Sequence, residues 1–338
     1  MDGFARHWAA GAPPELDARE STMAFEFDPA PPPLPPELRP VPARRRTAIL
    51  RGGLRGLLAG ALAALGLLLL AWLAFPPART NILIMGLDRR PDEATAISRT
   101  DTLILATVYP AQGYVGLLSL PRDLYVTLAD GSTGRINTAH FFAEAEQAGS
   151  GPRAAADVVQ TNFGVTVHRT LRVDFAGFVR IVDAVGGIDL DVPRPLIDYE
   201  YPTADYGVTT VEFAAGPQHM DGERALIYAR IRHGSSDFQR AERQQLVIQA
   251  LLRRGLQPSA WPRWPALLAA LRAAAETDLS PLEVVRLAPT LLRAGLTGLD
   301  QRVLQGELVT PYTTPNGGSA LLPVWSEINP VLLEMFGQ

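Results

Sequence analysis

The stretch 81-NILIMGLDRRPDEATAISRTDTLILATVYPAQGYVGLLSL-120 decides the fold. It holds three apolar runs, at residues 81–87, 101–109 and 114–120. Each has the length of a strand and stops at Gly, Pro or charge, so buried strands are expected rather than helices. Residues 110–113 between the last two form a hairpin turn in this reading. Downstream, residues 136–148 and 152–163 are predicted helices and 171–174 a strand. Asp174 then caps an amphipathic helix with Phe175, Phe178, Val179, Val182 and Val185 on one face, stopped by Gly186 and Gly187. Further strands are expected at 188–192 and 209–213. Asp221 opens another helix, and a long one covers 240–252. Strands interleaved with helices predict an α/β fold, a mixed β-sheet covered by helices on its faces.

Outward from this core, residues 80–255 form the expected principal domain. Residues 256–338 read as a helical and loop-rich C-terminal extension packed on it, its second helix opened by a capping box at Ser280 to Glu283. Upstream, residues 1–47 read as a disordered, Pro-rich tail, because the run DPAPPPLPPELRPVP favours extended backbone. Residues 48–75 are the expected membrane anchor. Their charge-free core, GLLAGALAALGLLLLAWLAF at 56–75, is about 30 Å long as a helix, the thickness of a bilayer's hydrocarbon. Arg44, Arg45, Arg46, Arg51 and Arg55 precede it and only Arg79 follows closely. The positive-inside rule therefore puts the N-terminus in the cytoplasm and residues 76 onward outside the cell membrane.

Composition narrows the chemistry. The chain of 338 residues has a formal net charge of -4, against the basic excess that a general nucleic-acid binder needs. It has no cysteine, which excludes disulfides, thiol catalysis and Cys-ligated metals. All 31 basic residues are Arg, so Schiff-base chemistry and a lysine P-loop are excluded as well.

Four polar groups break the apolar pattern at strand ends. They are Gly86-Leu87-Asp88-Arg89-Arg90, then Ser98-Arg99-Thr100-Asp101-Thr102, then Ser119-Leu120-Pro121-Arg122-Asp123. The fourth is Tyr228-Ala229-Arg230-Ile231-Arg232, followed by Asp237, Arg240, Arg243 and Gln244. Arg240, Arg243 and Gln244 share one helical face. A lone strand-end Asp is usually a turn residue or a cap, and a lone Arg is usually solvated. Together, residues flanking the ends of buried strands can converge at one sheet edge, where α/β proteins bind ligands. Arg forks bind phosphate oxygens bidentately. Carboxylates among them are useful if a divalent cation sits between carboxylate and phosphate. The pattern therefore points to a pyrophosphate held by Arg and Mg²⁺.

Residues 81 to about 250 resemble the LytR-CpsA-Psr (LCP) family of membrane-anchored phosphotransferases. The matching stretches are NILIMGLDRR (81–90), RTDTLIL (99–105), LLSLPRD (117–123), RINTAH (135–140), VDFAGFVRIVDAVGGIDLDVP (173–193), MDGERALIYARIR (220–232) and DFQRAERQQ (237–245). The resemblance implies an α/β/α fold with a deep apolar pocket for a polyprenyl chain. It implies transfer of a glycopolymer from its polyprenyl-pyrophosphate carrier to a peptidoglycan sugar hydroxyl, as a phosphodiester, in cell-wall assembly. Asp88 and Asp101 would hold Mg²⁺. Arg99, Arg122, Arg135, Arg230, Arg232, Arg240, Arg243 and Gln244 would surround the pyrophosphate. Asp101, Arg122 and Asp237 would be catalytic, with Asp101 and Asp237 left as alternative bases. Arg135 stands where the family often has Lys, and His140 where Tyr is common; both are expected at the site's rim. Two other readings remain open at this point: a hydrolase of the same lipid, and a non-catalytic regulator that binds polyprenyl phosphate.

Overall fold

A computed structural model describes residues 56–57, 59–64, 66–67, 70, 72, 74–88, 99–203, 207–231 and 236–337. The chain divides into two units, residues 1–64 and 65–338. In the first, the described residues are helical and exposed. Among the described residues no helix is long and apolar enough to cross a membrane. Positions 48–55, 58, 65, 68, 69, 71 and 73 of the expected anchor, like the tail at 1–47, lie outside them.

The second unit is built on six strands. They are β1 (Thr80–Leu87), β2 (Thr100–Tyr109), β3 (Tyr114–Leu120), β6 (Arg169–Asp174), β11 (Ala275–Thr277) and β12 (Asp300–Val303), in the order β11-β6-β1-β2-β3-β12. The pairs β1–β2, β2–β3 and β6–β11 are antiparallel, whereas β1–β6 and β3–β12 are parallel, so the sheet is mixed. The remaining strands form two-stranded pairs: β4 (Tyr125–Thr127) with β5 (Thr133–Arg135), β7 (Ile188–Val192) with β10 (Gly216–Met220), β8 (Leu196–Pro202) with β9 (Val208–Phe213), and β13 (Val309–Thr313) with β14 (Ser319–Pro323). A single 3₁₀ turn, Pro110–Gln112, links β2 to β3, and Gly113 closes it at φ 62°. That backbone region is open to glycine at little steric cost.

Eight helices follow among the fully described elements: α1 (Thr138–Glu146), α2 (Gly151–Phe163), α3 (Phe175–Ala184), α4 (Gly222–Arg230), α5 (Asp237–Leu256), α6 (Trp264–Ala274), α7 (Pro281–Thr297) and α8 (Trp325–Phe336). Both faces of the sheet are covered, which is why β1 to β3 read as unbroken apolar runs. On one face Leu83, Met85, Leu103, Leu105 and Leu118 pack with α2 and α8. On the other, Ile82, Ile104, Val108 and Leu117 meet Leu287 and Ala294 of α7.

The caps foreseen in the sequence are made. The Asp174 carboxylate accepts from the Gly177 amide at 2.7 Å, and Asp221 from the Arg224 amide at 2.8 Å. Ser280 and Glu283 exchange both bonds of a capping box at the start of α7. A second box, Ser236 with Gln239, starts α5 three residues before the predicted onset. Helices α3 and α4 cross so closely that a Cβ on Gly222 would lie 2.4 Å from the Val179 carbonyl oxygen.

Residues 256–338 do more than pack on the sheet. They supply both edge strands, β11 and β12, which the sequence reading does not contain. Strand β8, which pairs with the expected strand β9, is also absent from that reading.

Candidate functional site

The second sheet face and helices α3 to α6 enclose a cavity of about 540 Å³. Ile84, Ile104 and Leu171 form its floor, because alternate residues of β1, β2 and β6 point to that face. Phe178, Leu226, Val247, Leu251 and Leu271 wall it with apolar surface. The polar groups are gathered at one end. Asp101, Arg230, Arg240 and Gln244 line the cavity there, beside the C-terminal ends of β1 and β6. Its volume is within the range of about 300–1,000 Å³ common to small-molecule sites.

The strand ends set this geometry. Leu87 pairs with Thr100, so Asp88 and Asp101 leave adjacent strands at one sheet edge. Arg122 follows β3 at the same edge and donates from Nη1 to Asp101 Oδ1 at 2.9 Å. Its Nε lies 3.4 Å from an Asp237 oxygen and 3.5 Å from an Asp123 oxygen. Arg240 Nη1 is 3.1 Å from the other Asp237 oxygen, and Arg240 Nη2 donates to the Asp101 carbonyl at 3.4 Å. Burial opposes the charge on Arg122, but Asp101 first, then Asp237 and Asp123, outweigh it. Together they hold the guanidinium above its ordinary range. A second, smaller recess of about 30 Å³ adjoins this group and is also lined by Asp101, Arg122, Asp237, Arg240 and Gln244.

Arg230 sits across the mouth. Its Nη2 is 3.6 Å from Asp88 Oδ1 and its guanidinium lies 4.0 Å from the centre of the Phe175 ring. Nη1 donates to the Tyr201 hydroxyl at 3.3 Å. Burial raises the Tyr201 phenol above its usual range, with Arg230 working in the opposite direction. The phenol therefore stays neutral and available to accept. The sequence reading misses Tyr201, and misses Asp198 and Glu200, which line the cavity from the same strand. The burial pattern of β8 is irregular: Asp198 and Tyr201 are buried while Ile197, Tyr199 and Glu200 are exposed, because the pairing with β9 shifts register between Asp198 and Tyr201.

The other expected site residues are placed differently. Arg99 is exposed, 5.5 Å from the Phe141 ring, and does not line the cavity. Arg232 lies outside the described residues. Arg135 approaches Asp123 at 3.4 Å and donates to the Ser319 carbonyl at 2.6 Å, so it ties β5 to β14 one step behind Arg122. His140 is not at the rim. It is buried on the opposite sheet face, with Nε2 3.1 Å from Arg172 Nη1, beside Glu144.

The structure does not bring Arg243 to the cavity either. Its Nε donates to the Tyr228 carbonyl at 3.0 Å and its Nη2 to the Ile231 carbonyl. Tyr228 is in the last turn of α4, whose carbonyls lack partners inside the helix, and Ile231 is the residue that caps it. Gln244 adds a long contact to the Ala229 carbonyl at 3.5 Å. Burial lowers the Arg243 pKa, the penalty of holding a guanidinium in this position. Arg243→Leu is therefore expected to destabilise the fold by about 2–3 kcal/mol, since bonds to charged groups each contribute about 1.5–3 kcal/mol. Urea denaturation of the two proteins measures it; an unchanged midpoint would remove this capping role.

Residues 77–322 match the model of the LytR_cpsA_psr family. The chain belongs to this family. It is 29% identical over 229 residues to the polyisoprenyl-teichoic acid–peptidoglycan teichoic acid transferase TagU of Enterococcus faecalis, covering 67% of this chain and 70% of that protein. It is 34% identical over 181 residues to TagV of Bacillus subtilis, which bears the same transferase name, covering 52% of this chain and 43% of that one. The crystal structure of B. subtilis TagV superposes with a TM-score of 0.62 at 26% identity, over 77% of this chain and 98% of that chain. The α/β, LCP-like fold expected from the sequence, a mixed sheet with helices, is thus found, and the sheet has six strands.

Proposed function

We propose that this LCP protein transfers a glycopolymer from a polyprenyl-pyrophosphate carrier to a peptidoglycan sugar hydroxyl, forming a phosphodiester. The observation that carries the reading is the division of the cavity into an apolar interior and an Arg- and Asp-lined mouth. An isoprenoid tail gains about 0.8 kcal/mol for each CH₂ it buries, so the interior supplies affinity without selecting charge. The mouth receives the pyrophosphate. Relatives of about 30% identity carry the name of such transferases, with teichoic acid as cargo, which agrees with this substrate class.

The acceptor hydroxyl attacks the phosphorus that bears the glycopolymer. A new P–O bond forms, the bond to the polyprenyl-phosphate oxygen breaks, and polyprenyl phosphate leaves. Arg122, Arg230 and Arg240 face the charge that develops on these oxygens. The hydroxyl proton passes to a carboxylate, Asp101 or Asp237, both of which border the smaller recess. Asp88 and Asp101 would hold Mg²⁺. Among the described residues no three carboxylate or imidazole groups cluster as a metal cage. Mg²⁺ commonly takes only one or two carboxylates, together with substrate phosphate and water, and two are what Asp88 and Asp101 would supply. When bound, it would neutralise charge on the phosphates.

The test is incubation of the purified full chain with a synthetic polyprenyl-pyrophosphate glycan and peptidoglycan oligomers. A glycan joined to the oligomer by a phosphodiester is the expected product. Release of a phosphorylated glycan alone, with acceptor present, would instead identify a hydrolase. The same reading places residues 76–338 outside a single membrane anchor. Protease added to intact cells should then cut the C-terminal domain and spare the Pro-rich tail.

A further inference from the structure

Helix α6 is apolar on every side. Arg272 is its single charged residue; every other position is Trp, Pro, Ala or Leu. Such a helix belongs in a core or a membrane. Yet Ala274 is its only buried residue. Leu268 is 49% exposed and Trp264 39%, and Trp261, in the turn that leads in, is 57% exposed. The Trp264 indole N–H is already satisfied by the Gly255 carbonyl at 3.1 Å, which leaves its ring as bare apolar surface.

The surroundings say what covers this face. Between residues 253 and 274 the sequence has four arginines and no carboxylate, in a chain of net charge -4. Arg253 and Arg254 are turned to the carbonyls of Gly295 and Val185, with Asp189 beside Arg254, whereas Arg263 and Arg272 are exposed next to the tryptophans and Leu268. Tryptophan and leucine among arginines is the composition of a helix lying in a bilayer interface, where the basic groups meet anionic headgroups. Trp72, near the end of the charge-free run, donates to the Arg286 carbonyl of α7 at 2.9 Å. Helices α6 and α7 flank the same sheet face: Leu271 lines the cavity above Ile84, Ile104 and Leu171, and Leu287 clusters with Ile104. The apolar helix therefore lies on the layer of the domain that the anchor run reaches. It is also a wall of the cavity: Leu271 lines it, while the neighbouring Leu268, further round the helix, is half exposed.

We infer that α6 and the turn before it dock into the outer leaflet of the membrane and form the portal by which an isoprenoid tail passes between leaflet and cavity. The inference rests on the proposed function, because it takes that function's lipid as the cavity's guest. The absence of native cysteine makes one experiment direct. A nitroxide on Leu268→Cys in the full chain, reconstituted in vesicles containing phosphatidylglycerol, should collide with dissolved oxygen and be shielded from a water-soluble nickel chelate. A label at Arg153→Cys, on the surface of α2, should show the reverse. Access of nickel to Leu268→Cys would overturn the docking. So would shielding from both reagents, which would mark a second copy on this face.

The portal is tested by Leu268→Glu, with circular dichroism as the check on folding. Turnover of a long-tailed substrate embedded in vesicles should fall roughly tenfold, the factor equivalent to about 1.4 kcal/mol. Turnover of a short-tailed, water-soluble analogue should be unchanged. Equal loss on both would overturn the portal. Failure of the wild type to turn over either substrate would sink the transferase reading instead, while the collision measurement would still decide the docking.

Discussion

Asp101→Asn is expected to abolish Mg²⁺-dependent transfer while leaving the domain folded and still carrying a polyprenyl phosphate. Asp101 touches two of the site's arginines in different ways. Its carboxylate accepts from Arg122 and its backbone carbonyl accepts from Arg240. The amide of Asn has the same shape and can keep an oxygen toward Arg122, so the strand and the backbone bond should survive. The side chain is 23% exposed and supports no part of the apolar core, which is the reason to expect an intact fold. The charge is what disappears. On the proposed function a metal ligand and one of the two candidate bases would then be lost together, and Arg122 loses the partner that contributes most to holding its proton. Removing one aligned electrostatic contact to a transition state costs about 2.7–4 kcal/mol, roughly a hundred- to a thousandfold in rate. Loss at least that large is expected. Lipid retention should be unchanged, because tail burial is remote from this carboxylate. Turnover with and without Mg²⁺, mass spectrometry of the co-purified lipid and circular dichroism together check it. A wild type equally active after chelation would remove the metal from the argument. A variant that loses its lipid would show that Asp101 serves binding instead.

The parts of this site that are legible in the sequence share a physical cause. Strands β1, β2 and β3 are buried on both faces, so they stand out as apolar runs, and the residues that end them are the ones at the cavity mouth. Asp101 and Arg122 are found that way, at the cavity and at the recess beside it, whereas Arg230 closes helix α4 rather than a strand. Arg240 and Arg243 show where the method stops. A helical wheel puts both on one face of α5, but a face has height. Arg240, in the first turn, meets Asp101 and Asp237, whereas Arg243, a turn later, meets the end of α4. Which partner stands at each level is set by tertiary packing alone. Edge strands β11 and β12 have three and four residues and mixed polarity, too short for a periodic signal. Tyr201 escapes notice for a related reason: a register shift between Asp198 and Tyr201 breaks the period-2 pattern of the strand that carries it, so no alternation marks its buried side.

Replacing arginine by lysine in a chain that has no lysine should separate the two arginines that flank Asp123. Arg122 uses its guanidinium as a bridge. One terminal nitrogen holds Asp101, and Nε stands between Asp123 and Asp237. The fork that spans these carboxylates is the one that can present two parallel donors to a phosphate. An ammonium is a single point and cannot span them. Arg135 makes one ion pair, with Asp123, and one bond to a backbone carbonyl, both within reach of a flexible ammonium. Arg122→Lys should therefore cost about 3–4 kcal/mol of transition-state stabilisation, roughly a hundred- to a thousandfold in turnover. Arg135→Lys should cost on the order of 1 kcal/mol or less. The measurement is turnover of a synthetic polyprenyl-pyrophosphate glycan by each variant, with circular dichroism to confirm the fold. Equal losses would mean that the fork at Arg122 supplies nothing a point charge does not. If neither substitution matters, the pyrophosphate is held elsewhere, and Arg230, with its Phe175 stack and its Asp88 partner, becomes the residue to test.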